Sequence, residues 1–314
     1  MSRRVVKKKE KKIITIESGY LTEGLFGIVL TWPLEILFLL KNYDIKPNFI
    51  IRTKNYGIEE NDFNIVSKLI HLNYVPQKST LPKELKQFLT REDKDNFYLS
   101  LKKIKSFNDT FQPQDYLKDV KEVNKVFFTY FNIDPSIFEK LSDKICHDTL
   151  GIHIRGTDKK IDRYMNPEDK TTGEIFKNID MLLKKKKFSK IFLATDSSEI
   201  YEEFKNNYKN LEIISNDCVR FKSTESPFRT VDETNPYEKR KFKDSSYNIE
   251  SGKNAILDSI SLSLCRMVLL NNSALSSWSK VFNPNLEIYR LNSIGDIKWF
   301  PYYYIPMFEI DKIE

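Results

Sequence analysis

Three short runs in the second half of the sequence combine cations, carboxylates and hydroxyls at spacings that can do chemistry. The first is His153-Ile154-Arg155-Gly156-Thr157-Asp158-Lys159, the second Thr195-Asp196, and the third Ser273-Ala274-Leu275-Ser276-Ser277. Asp258 adds a carboxylate shortly before the third run. The planar guanidinium of Arg155 matches two phosphate oxygens at once. Hydroxyls at a strand-to-helix turn, here Ser276 and Ser277, can hold an anion together with free backbone N–H groups. A carboxylate such as Asp258 can accept two hydrogen bonds from a guanine edge. His153 and Arg155 alternate with Ile152 and Ile154, which sends both to one side of a strand. Together the set describes a nucleoside-diphosphate site. Each member also has an ordinary use: Arg155 in an ion pair, Asp196 as a helix cap, the serines as turn residues. The ordered set carries the reading, not any one residue.

These residues need elements to position them. Thr149–Arg155 alternates and is rich in β-formers, so it reads as a strand. Thr171-Thr172-Gly173-Glu174 is a capping box, and Ile175, Phe176, Ile179, Leu182 and Leu183 then fall on one helical face. Lys190–Thr195 reads as a buried strand, and Asp196–Glu199 caps a helix to Tyr208. A strand at Glu212–Ser215 is followed by a polar stretch, Phe221–Gly252, read as a loop. A helix at Asn254–Arg266, a strand at Met267–Leu270, a serine-rich turn, a short helix and a strand at Glu287–Arg290 complete the series. Alternating strands and helices predict an α/β fold with a mostly parallel sheet covered on both faces. In such sheets ligands bind beyond the carboxyl ends of the strands, where the three polar runs lie.

The first half is less regular. Lys12–Ile16 reads as a strand, Gly24-Leu25-Phe26-Gly27 as a turn, Leu25–Leu40 as a buried helix and Asn48–Arg52 as a strand, which makes a βαβ unit. Tyr116–Phe131 has helical spacing, and Asp134-Pro135 opens another helix with Asp as cap and Pro in first position. The expected organisation is a basic tail over 1–12, a Rossmann-like domain over 13–148, a second over 149–291, and an aromatic-rich extension over 292–314. The extension, with Trp299–Phe308 at its centre, is expected to pack back as core.

The segments Gly151–Lys159, Phe192–Ser197, Ile214–Asp217, Ala255–Cys265 and Ala274–Lys280 resemble, in sequence and order, the GDP-fucose-dependent fucosyltransferases. The resemblance is strongest to the α1,6 type and its Nod-factor relatives, and weaker to the protein O-fucosyltransferases. It covers about Leu150 to Leu291. It implies a GT-B architecture, two Rossmann-like domains facing a cleft. It also implies inverting transfer of fucose from GDP-fucose to a hydroxyl of a glycan or glycoconjugate, with no metal and no cofactor. By position, Arg155 and the Ser276/Ser277 turn are implied to hold the β-phosphate, and His153 and Asp258 the guanine. Lys159 is implied to pair with Asp196 near the sugar-phosphate. Asp158 joins the donor site, as do Gly24, Phe26 and Gly27, whose turn is similar to the glycine-rich turn that opens these enzymes. The transition state builds charge on the β-phosphate, which Arg155 and Lys159 would meet. Asp162 is the first choice for the general base, with Asp158 and Asp196 as alternatives. The sequence departs from the family in three places. Gly156 stands where a second Arg is usual, Ile28-Val29 follow the glycine turn, and Arg163 stands near the catalytic Glu position. Another GDP-sugar donor, or an inactive glycan-binding relative, are the alternatives.

Charge and composition narrow the field. The chain has 314 residues and a net charge of +7. Arg3, Arg4, Lys7, Lys8, Lys9, Lys11 and Lys12 face only Glu10 in the tail, which accounts for all but one of those charges. The remainder is close to neutral, which disfavours a nucleic-acid-binding reading; Lys184–Lys187 and Lys239–Lys241 read as a helix end and a loop. The tail is free to touch an anionic surface. Leu21–Leu40 is interrupted by Glu23, Pro33 and Glu35, so it is not read as a membrane span. Cys146, Cys218 and Cys265 fit reduced core thiols, and with no leader pattern the expected location is cytoplasmic. The three histidines, His71, His147 and His153, have no zinc-ligand spacing. Neither a nucleophile elbow nor a P-loop is present.

Overall fold

The computed structural model describes residues 13–21, 26–31, 33–34, 37–38, 41, 46–53, 69–73, 119–156, 171–218, 220–222, 245–271, 273–292 and 300–313. In the first half, β1 (Ile13–Leu21) and β2 (Lys46–Thr53) pair in parallel, with Ile13 opposite Lys46 and Ser18 opposite Ile51. A parallel pair needs a crossover between its strands. Here it contains a π-helical turn at Phe26–Thr31, and Leu30, Leu34, Leu37 and Phe38 are buried along it. The βαβ unit read from the sequence is therefore present, with longer strands. β3 (Ile70–Leu72) and β4 (Phe131–Ile133) form a short antiparallel pair. Between them α1 (Val120–Tyr130) is capped by Asp119, whose carboxylate accepts from the N–H groups of Lys121 and Glu122. α2 (Pro135–Phe138) opens as expected, with Asp134 capping Ser136 and Pro135 at the first helical position.

The second half is the main sheet. Its elements are β5 (Thr149–Ile154), α3 (Thr172–Lys185), β6 (Lys190–Thr195), α4 (Ser198–Asn207), β7 (Glu212–Ile214), α5 (Ser245–Ser263), β8 (Met267–Leu270), α6 (Ala274–Phe282) and β9 (Glu287–Arg290). The five strands are parallel throughout, in the order β7-β6-β5-β8-β9. This is the doubly wound arrangement, in which chain order reverses between the first and fourth strands, here β5 and β8.

Strand alternation divides the sheet into two faces. Leu150, Ile152, Ile154, Ile191, Leu193 and Leu269 pack with Ile175, Ile179 and Leu182 of α3 and Phe204 of α4. On the other face Phe192, Ala194, Ile214, Val268 and Leu270 pack with Leu262 and Cys265 at the end of α5. Gly151 is on this second face, where a Cβ would stand 2.9 Å from Val268 Cγ2. The α3 capping box is fully formed, with Thr171 and Glu174 each satisfying the other's backbone N–H.

α5 begins at Ser245, inside the stretch expected to be loop up to Gly252. Its early turns are polar, and tertiary contacts to α2 and the turn after it override the weak local signal: Glu250 pairs with Lys140, and Lys253 Nζ donates to Ser136 Oγ at 2.8 Å.

One aromatic side chain joins the parts. Trp278 of α6 is fully buried. Its ring lies 6.4 Å from Phe26 in the first crossover, 5.4 Å from Phe127 of α1 and 6.4 Å from Phe300 near the C-terminus. Its Nε1–H donates to Thr31 Oγ1 at 3.0 Å. The aromatic-rich end packs back as expected: Phe300, Tyr302, Ile305 and Phe308 are buried, and Phe308 N–H donates to the Arg290 carbonyl at 2.8 Å. Among the described residues no helix is long and apolar enough to cross a membrane. All three cysteines are free.

Candidate functional site

The crevice of a doubly wound sheet opens at the carboxyl ends of the strands where the order reverses. At that point β5 runs out through His153, Ile154, Arg155 and Gly156, and β8 through Leu270 and Asn271. His153 is buried, and its register partners are Ala194 on β6 and Leu270 on β8. It therefore lies on the α5/α6 face. Arg155 follows, half-buried, just past the strand.

The turn after β5 is pinned to the turn after β6. Asp196 Oδ1 accepts from the Gly156 N–H at 2.7 Å. Gly156 is packed so tightly that a Cβ would fall 2.5 Å from Ser197 Cβ and 2.9 Å from Ile200 Cδ1. No side chain fits there, which gives a physical reason for glycine where an arginine was expected from the family resemblance. The segment after β7 folds back over the same pole: Phe221 N–H donates to the Asp196 carbonyl at 2.8 Å. Arg220 hydrogen-bonds Ser215 Oγ and the Asn216 carbonyl at 3.1 Å. Its guanidinium stacks 4.2 Å over the Tyr201 ring.

Asp258, on α5, faces this pole and is 9% exposed. Asn216 Nδ2 donates to its Oδ1 at 2.7 Å and to Ser261 Oγ at 3.1 Å. Burial raises the Asp258 carboxyl to about 7; the Asn216 hydrogen bond and the Arg220 charge lower it, and Asp196 raises it. A buried carboxyl raised toward neutrality at the carboxyl pole of the sheet is a candidate ligand group. Cys218 lies in the same field, its thiol pushed up to about 11 by burial first and by the Asp258 charge second.

No family model matches the chain, and no curated protein matches it. Solved structures do. NodZ α-1,6-fucosyltransferase co-crystallized with GDP matches at 12% identity and a TM-score of 0.53, over 90% of this chain and 96% of that one. A selenomethionine fucosyltransferase NodZ from Bradyrhizobium matches at 12% identity and a TM-score of 0.51, over 90% and 96%. NodZ soaked with GDP-fucose matches at 12% identity and a TM-score of 0.50, over 88% and 94%.

This chain shares the fold of the fucosyltransferase NodZ. The resemblance read from the sequence thus has a structural counterpart that runs well beyond the motif-bearing half.

Within the NodZ fold the expected site residues have different placements. His153, Arg155, Asp196 and Asp258 come together at the carboxyl pole. Ser276 and Ser277 do not form the turn after β8; Asn271 and Ser273 do, and α6 starts at Ala274. The two serines lie in the first helical turn, fully buried, with Ser277 Oγ donating to the Ala274 carbonyl at 3.0 Å. What α6 can offer an anion is its first-turn N–H groups, which have no acceptor within the helix. Ser273, the cap residue, makes no side-chain capping bond. Phe26 is buried with its ring against Trp278, and Gly27 is within the π-helical turn. Gly24, Asp158, Lys159 and Asp162 lie outside the described residues, as does the basic tail.

Three asparagines at this pole escape sequence reading. Asn216 is locked to Asp258 as above. Asn271, fully buried at the end of β8, has no hydrogen-bond partner for either side-chain polar atom among the described residues. Asn254, one helical turn before Asp258, has a buried Oδ1 likewise without a partner among them. Buried polar atoms are nearly always satisfied in a native protein, so this concentration makes the pole a candidate ligand site.

Proposed function

We propose that the chain is a glycosyltransferase that transfers fucose from GDP-fucose to a hydroxyl of a glycan or glycoconjugate. One observation carries the reading. In a fold shared with NodZ, solved with GDP and with GDP-fucose, Arg155, His153 and Asp258 converge at the carboxyl pole of one parallel sheet. In this reading the architecture is GT-B, with the 13–148 half on the acceptor side and the 149–291 half holding the donor.

Each group then has a task. Asp258, ionised, accepts from the guanine N1–H and 2-amino group, and His153 lines the base pocket. The guanidinium of Arg155 and the first turn of α6 meet the diphosphate. The acceptor hydroxyl attacks the anomeric carbon, the bond to the β-phosphate oxygen breaks, and GDP departs with inversion. Charge grows on that oxygen, and Arg155 with Lys159 stabilises it. Asp162 takes the acceptor proton, with Asp158 and Asp196 as the alternatives. Asp196 already spends one oxygen on the Gly156 N–H, which favours a positioning part for it. The proposed chemistry calls on neither a metal nor an organic cofactor.

Calorimetry with GDP, UDP and CDP, then donor hydrolysis with GDP-fucose against GDP-mannose, tests the donor. Preference for GDP and GDP-fucose supports the reading, and preference for GDP-mannose moves it to another GDP-sugar. Absence of GDP binding overturns it. A glycan array with the best donor then identifies the acceptor.

A further inference from the structure

We propose that Asn216 completes an acceptor triplet with Asp258 that reads the exocyclic amine of the purine base in the donor. The inference rests on the GDP reading of the site and adds a specificity-determining residue to it.

Asn216 lies just beyond β7, two residues after Ile214, and its side chain reaches Asp258 and Ser261 on α5. That places it on the same sheet face as His153. β6 separates the two, and at the facing position β6 carries only Ala194. Two strand spacings put the backbones of β7 and β5 about 10 Å apart, with only the small side chain of Ala194 on β6 between Asn216 and His153. Asp258 reaches this face from α5 and is held to Asn216.

The amide of Asn216 has a defined orientation. Its nitrogen donates to the Asp258 carboxylate and to Ser261 Oγ, which leaves its oxygen as the remaining acceptor. That oxygen is buried, in a residue 4% exposed, and it has no partner among the described residues. An acceptor left in this state is costly unless a ligand supplies a donor.

Donor counting identifies the group. The Watson–Crick edge of guanine carries three N–H donors, one on N1 and two on the 2-amino group. A carboxylate facing that edge accepts the N1–H and the nearer amino N–H. The second amino N–H then needs an acceptor of its own. Asn216 Oδ1 is an unused acceptor beside that carboxylate. Hypoxanthine lacks the amino group and would leave Asn216 Oδ1 unsatisfied; adenine offers no donor at N1.

The test uses the full chain, calorimetry and three probes at pH 8: GDP, IDP, and GDP methylated on the 2-amino group. The wild type is expected to bind GDP roughly tenfold or more tightly than either analogue. In Asn216→Ala the GDP-over-IDP preference should shrink about tenfold; loss of the Nδ2 bond to Asp258 weakens both ligands alike and leaves that ratio untouched. If Asn216 merely steadied Asp258, both ligands would weaken together and the preference would stay, which overturns the assignment. Equal wild-type binding of GDP and its 2-amino-methyl form also overturns it, with no variant needing to fold. Wild-type protein that binds none of the three overturns the GDP reading itself, whereas GDP binding with an unchanged preference removes only Asn216.

Discussion

In the proposed donor site Asp258 and Arg155 hold the two decisive charges, and each makes a separate demand. For Asp258 the carboxyl is raised to about 7 by burial. An acid whose folded value lies above its unfolded one costs stability as pH rises between the two, from about 4 to 7, and the full cost persists above 7. In the proposed site the donor needs the ionised form, so GDP affinity should fall by up to tenfold per pH unit below about 7. Asp258→Asn should remove both effects. At pH 8 its melting temperature should rise by a few degrees, and GDP binding should be lost at every pH; thermal denaturation and calorimetry across pH 5.5–8.5 would check this. A flat pH profile in the wild type would mean Asp258 does not touch the base. Arg155→Ala should leave the fold intact and lower the transfer rate by roughly 10²–10³, since a positioned charge opposite a leaving phosphate is removed. Steady-state rates with GDP-fucose and the identified acceptor measure it.

The turns after β5 and β6 act as one element. Asp196 holds the Gly156 N–H, Ser197 caps α4, and Gly156 sits on both Ser197 and Ile200. Gly156→Ala should destabilise the chain by about 1–3 kcal/mol, because backbone or helix must shift to admit the methyl group. Adding Ser197→Gly removes the nearest clash and should recover part of the loss, since glycine is a tolerable cap. Equal melting temperatures for wild type and Gly156→Ala would show that the turn is looser than its packing indicates. This element also shows what a sequence can and cannot disclose. Asp196 as cap or ligand, and the strand ahead of it, are legible from KIFLATDSSE. The missing second arginine reads there only as a departure. The reason, a helix start lying against the Gly156 backbone, is a contact between residues some forty positions apart.

At the scale of the whole molecule, Trp278 links the first crossover, α1, α6 and the C-terminal aromatic segment. Trp278→Ala should cost about 3–5 kcal/mol, the range for removing a large buried aromatic, and a chemical denaturation curve would show it. If donor binding is a property of the second half alone, GDP affinity in the surviving folded protein should change less than stability does. Near-wild-type stability would mean the halves are held together elsewhere.

The sequence alone determined the alternation of strands and helices in the second half, because strands buried on both faces and amphipathic helices carry distinct periods. It also determined which polar runs stand at strand ends, and it exposed the family likeness. The path from Tyr56 to Lys94 was not legible, since short apolar pieces without period favour no element. The early start of α5 was hidden for a related reason: its polar turns are held by Lys140 and Ser136, far away in sequence. Tertiary structure alone decided that Ser276 and Ser277 are packed inside α6 instead of lining the turn. It alone showed that Asn216, Asn254 and Asn271 carry buried amide oxygens with no partner among the described residues. An asparagine in a sequence reads as a turn residue, and whether its amide is satisfied depends on neighbours brought from distant strands and helices.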